Sequence, residues 1–283
     1  MISGYLGSPL RAFRRLAVYL ALTITLIPVQ AVAVMLKAPL QVGLPVWYHR
    51  MCCRIMGIKI VRRGSRSGAR PTLYAANHVS YFDIAVLGSL INGSFIAKAE
   101  IATWPMFGWL AALQRSIFVE RRSAQASAQR DEMQRRLQAG DNLILFPEGT
   151  SGDGNRILPF KSALFSVAEY QPHGRPLMVQ PVSIAYALLD GMPMGRHLRP
   201  LYAWYGDMDL LGHAWQAAGL GQVTVVVEFH PPVTIAQFPS RKSLSDHCYR
   251  MVARGLSAAL AGHTQGPSEP VPAKSPELIT MAT

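Results

Sequence analysis

The longest apolar stretch runs from Leu16 to Leu36, twenty-one residues without a formal charge. As a helix rising about 1.5 Å per residue it matches a hydrocarbon core of roughly 30 Å. Arg11, Arg14 and Arg15 precede it, and Lys37, Arg50 and Arg54 follow it. Basic residues on both flanks give no preference for one side and suit a hairpin or re-entrant pair that returns to the face it left. Pro28 and Gln30 inside the run, with Pro39 and Pro45 soon after, predict a broken or bent helix. A secretory signal peptide is the competing reading, with Ala31-Val32-Ala33 as its cleavage site. Val46 to Ile58 mixes Trp47, Tyr48, Met51, Ile55 and Met56 with His49, Arg50 and Arg54, the pattern of an amphipathic helix at a lipid interface or of a core-facing helix.

Further along, short β-rich runs alternate with helical patterns. Strands are expected at 71–76, 116–119, 142–146, 178–186 and 223–229, and helices at 81–90, 124–138 and 244–260, with 62–70 a basic turn. This alternation predicts an α/β fold with a central, mostly buried sheet flanked by helices. The expected organisation is an anchor over 1–43, one globular domain over 44–262, and a disordered tail over 263–283, rich in Pro, Ser, Ala and Thr.

Charge sharpens this picture. The formal net charge is +12, yet residues 1–82 hold eleven of the 28 Lys and Arg and none of the 16 Asp and Glu. The remainder is nearly neutral, so the basic excess belongs to the segment around the apolar run and fits an anionic membrane surface. No recognition motif or aromatic-studded basic sheet supports nucleic-acid binding. Cys52, Cys53 and Cys248 have neither a disulfide-framework spacing nor a zinc-site spacing.

Three clusters carry candidate chemistry. In Asn77-His78-Val79-Ser80-Tyr81-Phe82-Asp83, His78 suits a general base near neutral pH, and a carboxylate on its other ring nitrogen would fix its tautomer. Five residues on a continuous helix lie about 140° apart, so His78 and Asp83 meet only if the chain turns between them. Ser80 as N-cap would place His78 in the preceding loop, and Asp83 would equally complete a capping box with Ser80. Phe146-Pro147-Glu148-Gly149-Thr150 closes a strand and opens a glycine-containing loop suited to an anion, or forms a surface turn. Ser116-Ile117-Phe118-Val119-Glu120-Arg121-Arg122 places two guanidinium groups at a strand end, where a phosphate is bound bidentately or the charges are simply solvated. Lys98 and Lys161, beside apolar residues, are further candidates. A membrane-associated hydrolase lacks support, since no G-x-S-x-G elbow is present. A non-enzymatic basic membrane-binding protein is the remaining alternative.

These blocks in this order, together with Trp104-Pro105-Met106-Phe107-Gly108-Trp109, Pro159-Phe160-Lys161 and Val179-Gln180-Pro181-Val182-Ser183-Ile184, resemble the glycerophospholipid acyltransferase family that includes 1-acylglycerol-3-phosphate acyltransferase. The likeness covers about residues 70–190, and the N-terminal anchor more loosely. It implies an acyltransferase domain in which His78 is the base and Asp83 its partner. It further implies that Arg121 binds a headgroup phosphate and that Glu148, Gly149 and Thr150 bind the acceptor; Asn77, Lys98 and Lys161 are further substrate-binding candidates. By the same resemblance the donor is acyl-CoA or acyl carrier protein, the acceptor a lysolipid, no metal or cofactor takes part, and the enzyme works at the cytoplasmic face of a bacterial-type inner membrane. Phosphatidate-forming members usually carry Arg after Glu-Gly-Thr, whereas Ser151 stands here. The stretch from Thr150 to Arg156 is similar to that of bacterial relatives acting on lyso-ornithine lipid.

Overall fold

The computed structural model describes residues 7–104, 106–119 and 126–263. The chain opens with a 27-residue helix, α1 (Pro9–Met35), which Ser8 caps by accepting from the Arg11 N–H. A short turn leads into α2 (Leu40–Met56), which Gly57 ends in the left-handed conformation, φ 73°. The helix runs through Pro28 without interruption, so the expected break is absent. Proline removes one donor, but the Gln30 amide fastens the following turn by donating to the carbonyls of Gln41 and Leu113.

Next come β1 (Ile58–Arg63), β2 (Thr72–Ala76), α3 (Phe82–Leu90), β3 (Gly93–Lys98), α4 (Phe107–Leu113), β4 (Ile117–Val119), α5 (Ala126–Gln138) and β5 (Asn142–Leu145). The second half adds β6 (Met178–Leu189), β7 (Met192–Pro193), α6 (Leu210–Gly219), β8 (Val223–Phe229), β9 (Val233–Thr234) and α7 (Arg241–Leu260). The sheet order is β1-β8-β6-β2-β5-β3-β4, parallel along this path except between β6 and β8, with β7 and β9 each pairing antiparallel to β6. β1 was expected as the end of a helix and a basic turn. Its Ile-Lys-Ile-Val-Arg-Arg sequence becomes a strand because it pairs in parallel with the fully buried β8.

Alternation along the central strands builds a layer on each face. Tyr74, Ile144, Ile184 and Tyr186 face one layer with Cys53, Met56, Val86 and Ala217, from α2, α3 and α6. Leu73, Leu143, Leu145 and Val179 face the other with Leu137 of α5 and Leu244 and Cys248 of α7. This is the α/β architecture expected, with helices on both faces of a mostly parallel, buried sheet.

α1 is long and apolar enough to cross a membrane, but it is fastened to the domain at both ends. Arg15 donates to the carbonyls of Ala218, Leu220 and Gly221 at the C-terminal end of α6, and Gln30 reaches Leu113 of α4. Its opposite face exposes Leu10, Phe13, Ile24 and Met35, and Trp109, Leu211 and Trp215 are exposed apolar residues of α4 and α6.

Candidate active site

β2 ends at Ala76, and residues 77–81 form the irregular link into α3. Asn77 anchors its start: the side-chain oxygen accepts from the Ile184 N–H at 2.7 Å and the amide donates to the Ile184 carbonyl at 2.9 Å. The chain then turns so that His78 Nδ1 lies 2.9 Å from Asp83 Oδ2. The same oxygen accepts from the backbone N–H of Val79 at 2.6 Å and of Ser80 at 3.0 Å. Ser80 is therefore not the side-chain cap expected. Tyr81 holds the N-cap position without a side-chain bond, and the Ser80 hydroxyl is buried without a protein partner. A carboxylate is the stronger acceptor, and Asp83 both closes the helix start and grips the histidine.

The other oxygen, Oδ1, accepts from the Tyr186 hydroxyl at 2.8 Å. Asp83 is fully buried and has four hydrogen bonds, so both of its oxygens are satisfied away from water. With Nδ1 donating to Asp83, Nε2 is the ring nitrogen left to accept a proton. The imidazole also stacks on Phe146, centroids 4.2 Å apart and planes 16° from parallel.

The block after β5 wraps around this histidine. Glu148 Oε1 accepts from the His78 N–H at 2.7 Å, and Oε2 from the Leu158 N–H at 2.7 Å. Gly152 N–H donates to the His78 carbonyl at 2.9 Å. Burial pushes the Glu148 carboxyl up to about 7, against the pull of these two N–H groups. Gly149 has φ 69°, and a side chain there would meet Lys161 Nζ at 2.7 Å, so the lysine lies across the turn.

A cavity of about 670 Å³ opens beside His78. Its long wall is α1, from Leu16 through Tyr19, Leu20, Thr23 and Leu26 to Gln30, about 21 Å of helix at 1.5 Å per residue. α2, α3 and α4 contribute Tyr48, Phe82 and Leu110, and the lining also includes Lys98, Gly149, Thr150, Ser151 and Trp204. A mostly apolar cavity of this extent, lined in part by an imidazole bonded to a carboxylate, suits a chain-bearing substrate whose reactive end meets His78.

Comparison with known proteins agrees with this chemistry. Residues 50–185 match the family model described as Acyltransferase. The chain is 41% identical to a lyso-ornithine lipid O-acyltransferase of Brucella abortus, over 89% of this chain and 96% of that protein. It is 38% identical to the protein of the same description from Rhizobium meliloti, over 89% of each. The chain belongs to the acyltransferase family. A 1-acyl-sn-glycerol-3-phosphate acyltransferase of Neisseria gonorrhoeae is 33% identical over 62% of this acyltransferase and 65% of its own length. The fold matches the crystal structure of a 1-acyl-sn-glycerophosphate acyltransferase from Thermotoga maritima, TM-score 0.55 at 21% identity, covering 86% of this chain and 96% of that one.

Of the residues singled out in the sequence, the acyltransferase brings His78, Asp83, Lys98, Gly149 and Thr150 to the cavity or its His–Asp pair, with Lys161 packed against Gly149. Asn77 and Glu148 lie beside the His78 loop with their polar atoms engaged by backbone. Arg121 lies outside the described residues. Sequence reasoning missed Tyr186, Phe146 as the stacking partner, and the whole α1 wall. Of these, only Phe146 had a signal, its place inside a recognised block.

Proposed function

We propose that this acyltransferase moves a fatty acyl group from a CoA or acyl carrier protein thioester to the hydroxyl of a lyso-ornithine lipid. The 2.9 Å contact between His78 Nδ1 and Asp83 Oδ2 beside the apolar cavity carries the reading. The acceptor hydroxyl gives its proton to His78 Nε2 as its oxygen attacks the thioester carbonyl. The C–S bond then breaks, and the imidazolium returns the proton to the leaving thiolate. Asp83 holds the tautomer and stabilises the imidazolium. The acceptor assignment is supported by the description of the Brucella and Rhizobium relatives and by Ser151 following Glu-Gly-Thr, its hydroxyl donating to the Trp204 carbonyl.

The protein sits at the cytoplasmic face of the inner membrane with α1 lying along the surface. A helix whose inner face walls the cavity and whose two ends bond to the domain is not free to be surrounded by lipid. The test offers purified protein lyso-ornithine lipid and 1-acylglycerol-3-phosphate in turn, with acyl-CoA or acyl carrier protein thioester, and reads thiol release and product mass. Diacylated ornithine lipid is the expected product. Turnover of the glycerol phosphate acceptor alone overturns the acceptor assignment, and thiol release without any acceptor overturns transfer.

A further inference from the structure

We propose that Glu148 is a positioning residue that holds the main chain of His78, and that the acceptor binds without it. The link from Asn77 to Tyr81 belongs to neither helix nor strand, so the His78 N–H and carbonyl need partners from elsewhere. One segment supplies both. Glu148 takes the N–H at 2.7 Å, and Gly152 donates to the carbonyl at 2.9 Å. Phe146, two residues before Glu148, stacks on the imidazole at 4.2 Å. The catalytic residue is thus held at three points by residues 146–152, while Asp83 fixes its ring nitrogen.

The second Glu148 oxygen is bound to the Leu158 N–H at 2.7 Å, which closes the loop from 148 to 158 against the catalytic link. Only 2% of Glu148 is exposed, and it is absent from the cavity lining, where Gly149, Thr150 and Ser151 appear. An acceptor hydroxyl in the cavity therefore meets the residues after Glu148, and the carboxylate acts on the reaction through the placement of His78. A catalytic base displaced by a fraction of an ångström loses much of its effect, so the consequence falls on turnover and not on binding.

The inference rests on His78 being the base, and two measurements keep its failure apart from the failure of that reading. Glu148→Gln should lower kcat about ten- to a hundredfold, as for loss of a hydrogen bond to a charged group, with KM for acceptor and donor both within about twofold. In parallel, the His78 amide should exchange with solvent about tenfold or more faster in Glu148→Gln than in wild type, read by hydrogen exchange on the peptide spanning the catalytic link. A raised acceptor KM at unchanged kcat assigns Glu148 to the acceptor and overturns the proposal, as does lowered kcat with His78 exchange unaltered. Should Glu148→Gln fail to fold, Glu148→Asp, one methylene short of the His78 N–H, carries the same comparison. Fast exchange of the His78 amide in the wild-type enzyme overturns the clamp on its own. Full activity of His78→Ala would instead sink the base assignment.

Discussion

The hydroxyl of Tyr186 donates to Asp83 Oδ1 at 2.8 Å, the carboxylate oxygen that His78 does not touch. Burial, and then the neighbouring Asp83 charge, hold Tyr186 well above its ordinary value of 10, so it remains a donor across the working pH range. Tyr186→Phe keeps the ring and leaves Oδ1 without this partner. The expected result is a kcat about ten- to a hundredfold lower, from the roughly 1.5 to 3 kcal/mol of a hydrogen bond to a charged group, with KM little changed. An Asp83 relieved of Tyr186 is held by one fewer partner and orients Nδ1 less firmly. Unchanged turnover would remove Tyr186 from the site.

His78→Ala should abolish transfer, by the roughly 10²- to 10⁴-fold typical of general-base catalysis, while the protein stays folded and membrane-bound. Asp83→Asn should do more than slow the reaction, because Asp83 also accepts from Val79 and Ser80 at the start of α3. Turnover should fall and thermal stability should drop by about 1 kcal/mol, the scale of a lost cap. Melting and thiol-release assays on the same preparation measure both. Retained turnover with lowered stability would leave Asp83 a cap only.

The α1 wall makes a prediction about chain length. Ile27 lines the cavity, and Ile27→Trp adds bulk there. With mixed acyl donors, product masses should shift toward shorter acyl chains, since overpacking a fitted apolar slot costs about 1 to 3 kcal/mol. An unaltered product distribution would place the acyl chain outside this cavity.

A pH effect on stability should come from His230, just after β8. Its Nε2 lies 3.1 Å from Ser183 Oγ beneath α7, and burial, then the charge of Arg63, push it down to about 4. The unfolded chain takes up a proton below about pH 6.5 that the folded one refuses, so stability from this group is full above 6.5 and is lost as pH falls toward 4. The loss by pH 4 is on the order of 3 kcal/mol, a pKa unit being about 1.4 kcal/mol. His230→Gln should flatten that acid limb in melts taken from pH 7 to pH 4. An identical limb in both proteins would place the acid-sensitive group elsewhere.

Local pattern alone made much of the molecule legible. The strands at 142–145 and 223–229 and the helices beginning near 82 and ending at 260 follow from short-range periodicity and turn residues. The His78–Asp83 pair was readable too, because its partners are five residues apart and only one turn of chain has to be guessed. The α/β class followed from alternation that each segment displays by itself.

Tertiary structure decided the rest. Tyr186 is 103 positions from Asp83, and it meets the carboxylate because β6 lies beside β2 and its alternation turns Ile184 and Tyr186 toward the α3 layer. Glu148 reads as a solvated acid in a turn, and it becomes a buried clamp only once β5 is set beside β2. β1 carries too many charges to read as a strand until β8 offers its edge. Composition shows that the α1 run is apolar, but not that one of its faces walls a cavity while the other faces outward. Apolar residues satisfy lipid and a protein cavity equally, and only the bonds of Arg15 and Gln30 to distant carbonyls distinguish the two.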